Sequence, residues 1–301
     1  MVDSPDNFSL FNRNDVQGLV TEHVVKNLRL VPYLDMHNSG DAEEFIFDTI
    51  DKTAEEDIAS KIMSTPVPRA LGGKLDIVRM SGMTPNAQPL LMSGYTYEVE
   101  TNKIKKRPYS VEYFLKRMAY GIGRALEYDA HAKCIAKASA DTATIDNTWD
   151  ESAEVDMDLI DMKAAFRDES LPDTLTGLFY DSTNHTELQK FIRNQEGSAS
   201  GYMEDSFNWL GITHAYSGSM ATHGTAIGFD ITNPPAVVAY GIEEGAYNPK
   251  VTKGMEGYAP IINVKVKRVA DEIPDITKIF MAAKYTIAVL EPNALMAQTG
   301  L

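Results

Sequence analysis

The chain has a single cysteine among its 301 residues, Cys134, so an internal disulfide is excluded. That usage suits folding in a reducing compartment. Cys134 reads as small apolar filler on a helix; a nucleophile would need a nearby base that the sequence does not show. Long apolar runs are also missing. None approaches the ~20 residues needed to span a bilayer. The N-terminal stretch MVDSPDNFSLFNRND has no basic head followed by an apolar segment, so no signal peptide is expected. Positive charge is scarce, with 28 Lys and Arg against 43 Asp and Glu and a net charge of -15.

The acid is clustered. Asp41, Glu43, Glu44, Asp48, Asp51, Glu55, Glu56 and Asp57 stand against Lys52 alone, and Asp141 to Asp161 holds eight acidic residues and no Lys or Arg. Such a surface repels nucleic acid, because binding requires phosphates to be neutralised. What the chain does have is 44% apolar residues, enough for a buried core in one large domain or two ordinary ones.

Recognisable chemistry is absent as well. The one near-match to a nucleophile elbow, GSASG at 197–201, puts Ala199 where the serine would stand. No phosphate-binding Walker loop and no HExxH is present. The six histidines show no ligand spacing. His214 and His223 with Asp230 can be drawn as a metal site, but polar loop residues beside Gly211, Gly218 and Gly224 explain them better. Asp181 with His185 can be drawn as an acid–base pair, but a turn and helix start explains both.

The organisation is more informative. Residues 1–40 read as an arm with a helical patch, FIFDTI within 40–50 is rich in strand formers, and Thr53–Met63 is helix-like. Residues 64–108 are punctuated by Pro and Gly. Strand-like pieces, Leu75–Gly82 and Tyr95–Arg107, flank the breaker-rich stretch Met83–Gly94, which reads as the tip of an extended hairpin. Tyr95, Tyr97, Val99 and Thr101 fall on one face by the two-residue period. A lone hairpin carries no core of its own and must lie on something else.

A helix follows, Tyr109–Ala138, with Ser110 as the expected cap and an apolar stripe through Val111, Leu115, Met118 and Ile122. It would be roughly 45 Å long. Gly121 and Gly123 within it mark a bend or the close approach of another backbone. After an acidic linker, LTGLFY reads as a buried strand, DSTN as a turn and HTELQKFIRN as a helix, an α/β element. From Gly211 onward the reading is mostly strands. The basic segment Lys103–Arg107 admits three uses: a nucleic-acid patch, pairing with an acidic face of a neighbouring copy, or a lysine-protected strand edge.

Taken in order, these pieces resemble the major capsid proteins of tailed phages. The hairpin Leu75–Arg107 leads straight into the helix Tyr109–Ala138, as an extended loop feeds a spine helix. VDMDLIDMKAAFRDESLPDTLTGLFYDSTNHTELQKFI is similar to the start of an axial domain, and GITHAYSG, TAIGFD and AVVAYGI to its later strands. YTIAVLEPNALMAQ resembles the last peripheral-domain strand with its Glu-Pro turn.

The resemblance implies an α+β chain with the Hong Kong 97-like capsid fold. Its expected parts are an N-terminal arm and first peripheral segment (1–64), an extended loop or E-loop (65–108), a peripheral-domain spine helix and linker (109–154), an α/β axial domain (155–272) and closing peripheral strands (273–301). It implies a structural protein, not an enzyme, with no cofactor and no metal. The chain would self-assemble through pentamers and hexamers into an icosahedral head that encloses double-stranded DNA without binding it specifically, in a virion assembled in the host cytoplasm. Scaffolding, portal and decoration proteins are the implied partners, with no membrane.

Inter-subunit contacts are expected at Tyr95, Tyr97, Val99, Lys103, Lys105, Lys106 and Arg107. Some relatives cross-link covalently through a lysine of the loop, but no partner asparagine or acid is identified here. Two alternatives stand beside this reading: an encapsulin-type compartment, and an oligomeric cytosolic enzyme with His185 or His214 in a pocket.

Overall fold

The computed structural model describes residues 13–50, 83–145, 148–149, 154–167, 174–196, 206–241, 262–269 and 276–301. The expected strand Leu75–Gly82 and helix Thr53–Met63 lie outside them. In chain order the first elements are α1 (Arg13–Val25), a 3-10 turn (Val31–Tyr33), β1 (Asp35–Asn38), β2 (Glu44–Ile50), β3 (Met83–Pro89) and β4 (Leu91–Glu100). Next come α2 (Thr101–Lys106), α3 (Pro108–Lys137), α4 (Val155–Arg167), β5 (Gly177–Tyr180) and α5 (Ser182–Glu196). Strands complete the chain: β6 (Ser206–Trp209), β7 (Ile212–Tyr216), β8 (Thr225–Phe229), β9 (Ala236–Tyr240), β10 (Ile262–Val269), β11 (Ile276–Val289) and β12 (Leu295–Thr299).

The periodic stripe makes α3 the axis of the first core. Val111, Leu115, Ala119, Ile122, Leu126, Ala130 and Cys134 recur every three or four residues and are all buried. The helix begins two residues before the expected cap, with Pro108 in its first turn, where proline's missing N–H costs nothing. Helix α1 crosses α3 at Gly123. A Cβ there would stand 2.8 Å from the carbonyl oxygen of Val24, so only glycine lets the two backbones approach this closely. The chain after α1 is tied to the same helix by a buried carboxylate. Glu127 accepts from the backbone N–H of Leu30 at 2.7 Å and of Val31 at 3.4 Å, and His131 Nε2 lies 3.4 Å away.

Strand β11 organises the first sheet. It pairs antiparallel with β10 over Ile276–Val269 in register, with β4 from Ile276↔Glu100 to Tyr285↔Leu91, and with β9 from Tyr285↔Tyr240 to Val289↔Ala236. Parallel pairing of β1 with β9 completes it. The second sheet runs β12-β8-β5-β7-β6. Its side chains alternate between two cores. Phe179, Ala215, Ile227 and Phe229 join the α3 cluster, while Leu178, Tyr180, Ile212 and Ala226 join α4 and α5. That two-sided burial is why GLFY is apolar throughout.

Three expectations are corrected. Met83–Gly94 is not a hairpin tip. Met83–Pro89 pairs with Glu44–Ile50 as a two-stranded ribbon, and Leu91 onward pairs with β11. Among the described residues, Pro85 and Pro89 sit on a strand that pairs with β2 alone, an edge position that proline tolerates. The strand expected to reach Arg107 ends at Glu100, and Thr101–Lys106 forms α2 instead. The stretch YTIAVLEPNALMAQ is not one closing strand. After the 3-10 turn Pro292–Ala294, β12 enters the second sheet beside β8, so the closing segment contributes one strand to each sheet.

Candidate assembly surface

The ribbon β2–β3 has two unlike faces. Phe45 and Phe47 lie on one, stacked at 5.4 Å, and pack with Val237, Ala239 and Ala288 of the first sheet. Leu90 N–H donates to the Glu43 carbonyl at one end of the ribbon, and Ile50 N–H to that of Leu290 at the other. Glu44, Ile46 and Asp48 alternate on the other face and are exposed, Ile46 by 74%. At the far end Ile50 pairs with Met83, so residues 51–82 leave and re-enter the ribbon at one point.

The residues expected to meet a neighbour divide. Pairing with β11 aims one face of β4 at the chain's own long helix. Val99 is buried in the α3 core, Tyr97 stacks on Phe114 at 5.6 Å, and the Tyr95 ring lies over Gly121. Burial pushes the Tyr97 phenol up. Within the chain the long helix covers most of this face, leaving Tyr95 half exposed. Lys103, Lys106 and Arg107 are exposed, and Lys103 makes only a loose surface pair with Glu100 at 3.6 Å. Lys105 lies in α2 with them.

Polar groups singled out in the sequence are held in local hydrogen-bond networks. Asp181 caps α5: its Oδ1 accepts from Thr183 and Asn184 N–H, both at 2.9 Å, and its Oδ2 from Gly224 N–H and His223 Nδ1, both at 3.2 Å. Burial alone would raise that carboxyl, but the bonds from Asn184, Gly224, His223 and Thr183 hold it below its ordinary value. Asp230 is occupied by Thr174, Thr176 and Thr232. His214 donates Nε2–H to the Trp209 carbonyl at 3.2 Å and stacks on Phe207 at 5.2 Å. Burial lowers its pKa to about 4. His214, His223 and Asp230 thus serve three separate networks, and no group of three potential metal ligands occurs among the described residues.

Cys134 is buried, and that burial, with Glu127 nearby, raises its thiol to about 12, as suits core filler. A cleft of about 250 Å³ lies between the ribbon and the end of α3, lined by Thr49, Asn86, Gln88, Lys133 and Lys137 among others. Neither His185 nor His214 lines it.

What sequence reasoning missed is the outer face of α3. Tyr109, Tyr113, Arg117, Tyr120, Arg124 and Tyr128 recur every three or four residues on its exposed side, with Tyr109 exposed by 83%. Arg117 donates to the Tyr113 hydroxyl from Nη2 at 2.6 Å and lies 5.1 Å from its ring centre. The spacing is legible in the sequence, but its mixed Tyr/Arg composition carries no apolar period. Exposed apolar side chains continue on Ile46, Leu91 and Met92 near the ribbon, and on Met157 and Ile160 of α4. Apolar exposure of this extent marks surfaces that other protein covers.

No protein-family model and no curated protein matches the sequence. Solved structures do match. The virus-like particle protein from Pyrococcus furiosus aligns with a TM-score of 0.58 at 12% identity, over 94% of this chain and 97% of that one. The holo-SrpI encapsulin complex of Synechococcus elongatus PCC 7942 gives 0.55 at 10% identity over 88% and 85%. The capsid of Myoviridae phage XM1 gives 0.54 at 11% identity over 90% and 91%. At such identities the likeness speaks for the architecture alone. The chain has the Hong Kong 97-like capsid fold.

Proposed function

We propose that this chain is a shell-forming structural protein, the major capsid protein of a tailed virus of bacteria or archaea. Fold alone does not fix function, so the reading leans on the surface. The observation that carries it is the ribbon. Its inner face is anchored on the chain's own sheet, while its outer face, with Ile46 at 74% exposure, is covered by nothing among the described residues. Laid across neighbours, such ribbons multiply modest contacts over a closed assembly. Lys103, Lys106 and Arg107, exposed beside the start of α3, are available to acidic surfaces of adjoining subunits.

Pentamers and hexamers of one polypeptide would build an icosahedral head around double-stranded DNA. The net charge of -15 keeps the wall from binding the packed genome. Scaffolding, portal and decoration functions would come from other proteins during assembly in the host cytoplasm. The reading includes no catalysis and no cofactor.

The similarity to an encapsulin complex favours a second reading, a compartment that encloses protein instead of a genome. Negative-stain microscopy of the purified protein tests the common core: closed particles hundreds of ångströms across are expected, and a small discrete oligomer refutes both readings. Nuclease-protected DNA inside particles from the native source supports the capsid; enclosed protein without DNA supports the compartment.

A further inference from the structure

The outer face of α3 and the outer face of α4 complement each other. On α3, Arg117 and Arg124 stand seven residues apart with Tyr120 between them. All three are exposed. At the start of α4, Glu154 and Asp161 also stand seven residues apart, and Met157 and Ile160 lie between them, exposed by 48% and 50%. Seven residues of helix rise about 10.5 Å, so the two charge spacings match. Two helices laid side by side at a shallow angle bring such seven-residue repeats into register. The sulfur of Met157 and the branched side chain of Ile160 would then meet the face of Tyr120.

The signs also agree. Across Tyr109–Tyr128 the outward stripe carries two arginines and no carboxylate, within a chain of net charge -15. No ion pair to Arg124, Glu154 or Asp161 occurs among the described residues. Among the described residues Arg117 is held by Tyr113 alone, which fixes its guanidinium in place without neutralising it. Glu154 also closes the N-terminus of α4, its carbonyl accepting from Met157 and Asp158 N–H, so its position on that face is set. Asp158 faces elsewhere and binds the Trp149 indole N–H at 2.9 Å.

We infer that α4 of one copy of this chain docks on the Tyr/Arg stripe of α3 in a second copy, with Arg117 and Arg124 paired to Asp161 and Glu154. The contact is head-to-tail, since the two surfaces differ, and such contacts generate rings. The inference rests on the shell-forming reading and names one of its interfaces.

Charge reversal tests it. R117E/R124E is expected to reduce the fraction of protein sedimenting as assembled particles at least tenfold. The exposed positions leave the subunit's far-ultraviolet circular dichroism and melting unchanged. Adding E154R/D161R to the same chain restores the pairs with signs exchanged and is expected to recover assembly. Separately, R124C/E154C is expected to form an inter-subunit disulfide on oxidation, since Cys134 is buried and silent. If wild type assembles and R117E/R124E assembles equally well, or the fourfold variant stays dissociated while folded, the inference fails. If wild type forms no higher assembly at all, the shell-forming reading fails first.

Discussion

Two glycines in one helix should respond to the same substitution with opposite signs. Gly121→Ala and Gly123→Ala each gain about 1 kcal/mol of helix propensity. What differs is the neighbour. At residue 121 an added Cβ meets the Tyr95 hydroxyl at 2.8 Å and its ring at 3.1 Å. Tyr95 is 47% exposed, so its ring can swing outward and leave most of the gain. At residue 123 the added Cβ meets the Val24 carbonyl oxygen at 2.8 Å and its Cα at 3.2 Å. That neighbour is backbone in the last turn of α1, and Val20 and Val24 are locked in the same core. Moving it costs about 1–3 kcal/mol, which outweighs the helix gain.

The expected result is Gly121→Ala neutral to about 1 kcal/mol more stable, and Gly123→Ala up to about 2 kcal/mol less stable. Urea denaturation of the unassembled subunit, followed by circular dichroism, measures both. A Gly123→Ala variant as stable as Gly121→Ala would refute the claim that backbone contact with α1 sets the identity of residue 123.

Four further outcomes follow from the same packing. Glu127→Ala leaves the N–H groups of Leu30 and Val31 buried without their acceptor and should cost about 1–3 kcal/mol; Glu127→Gln keeps an acceptor and should cost less, both read by urea midpoints. His214 is neutral in the fold because burial lowers its pKa to about 4, whereas the unfolded chain takes up the proton near 6.5. Its contribution is therefore complete above about pH 6.5 and is lost as pH falls toward 4; His214→Phe should flatten that part of the stability–pH curve, and an unchanged slope would refute the assignment. Replacing residues 51–82 by a two-residue turn joins Ile50 to Met83, which are already paired, so the subunit should stay folded and fail to form particles by microscopy. Deleting Met83–Gly94 is a different experiment, since it removes β3 and part of the β4–β11 ladder and should unfold the first sheet.

The elements that the sequence made legible are those whose reasons are local. The stripe from Val111 to Cys134 repeats at helical spacing, and α3 forms where the repeat runs. GLFY is apolar at every position because both faces of β5 are covered, and it forms a buried strand. Asp181 precedes Ser-Thr-Asn and caps the helix they begin. Partner choice was not legible. Residues 91–100 have the alternation of a strand, but nothing in them names β11, nearly two hundred residues later, as the strand they join. Without that pairing, Tyr95, Tyr97 and Val99 look like a face in search of a neighbour; with it, the face belongs to α3.

The prolines misled for a related reason. Pro85 and Pro89 break an interior strand but not the edge of a ribbon, and edge status is a property of the sheet, not of the segment. The same distinction governs the assembly surface. A buried stripe announces itself by its apolar period, whereas the stripe of Tyr109, Tyr113, Arg117, Tyr120, Arg124 and Tyr128 has a mixed composition that only becomes a surface once the opposite side of α3 is known to be core. Its Tyr and Arg content is that of binding hot spots, and it stands exposed in the single chain.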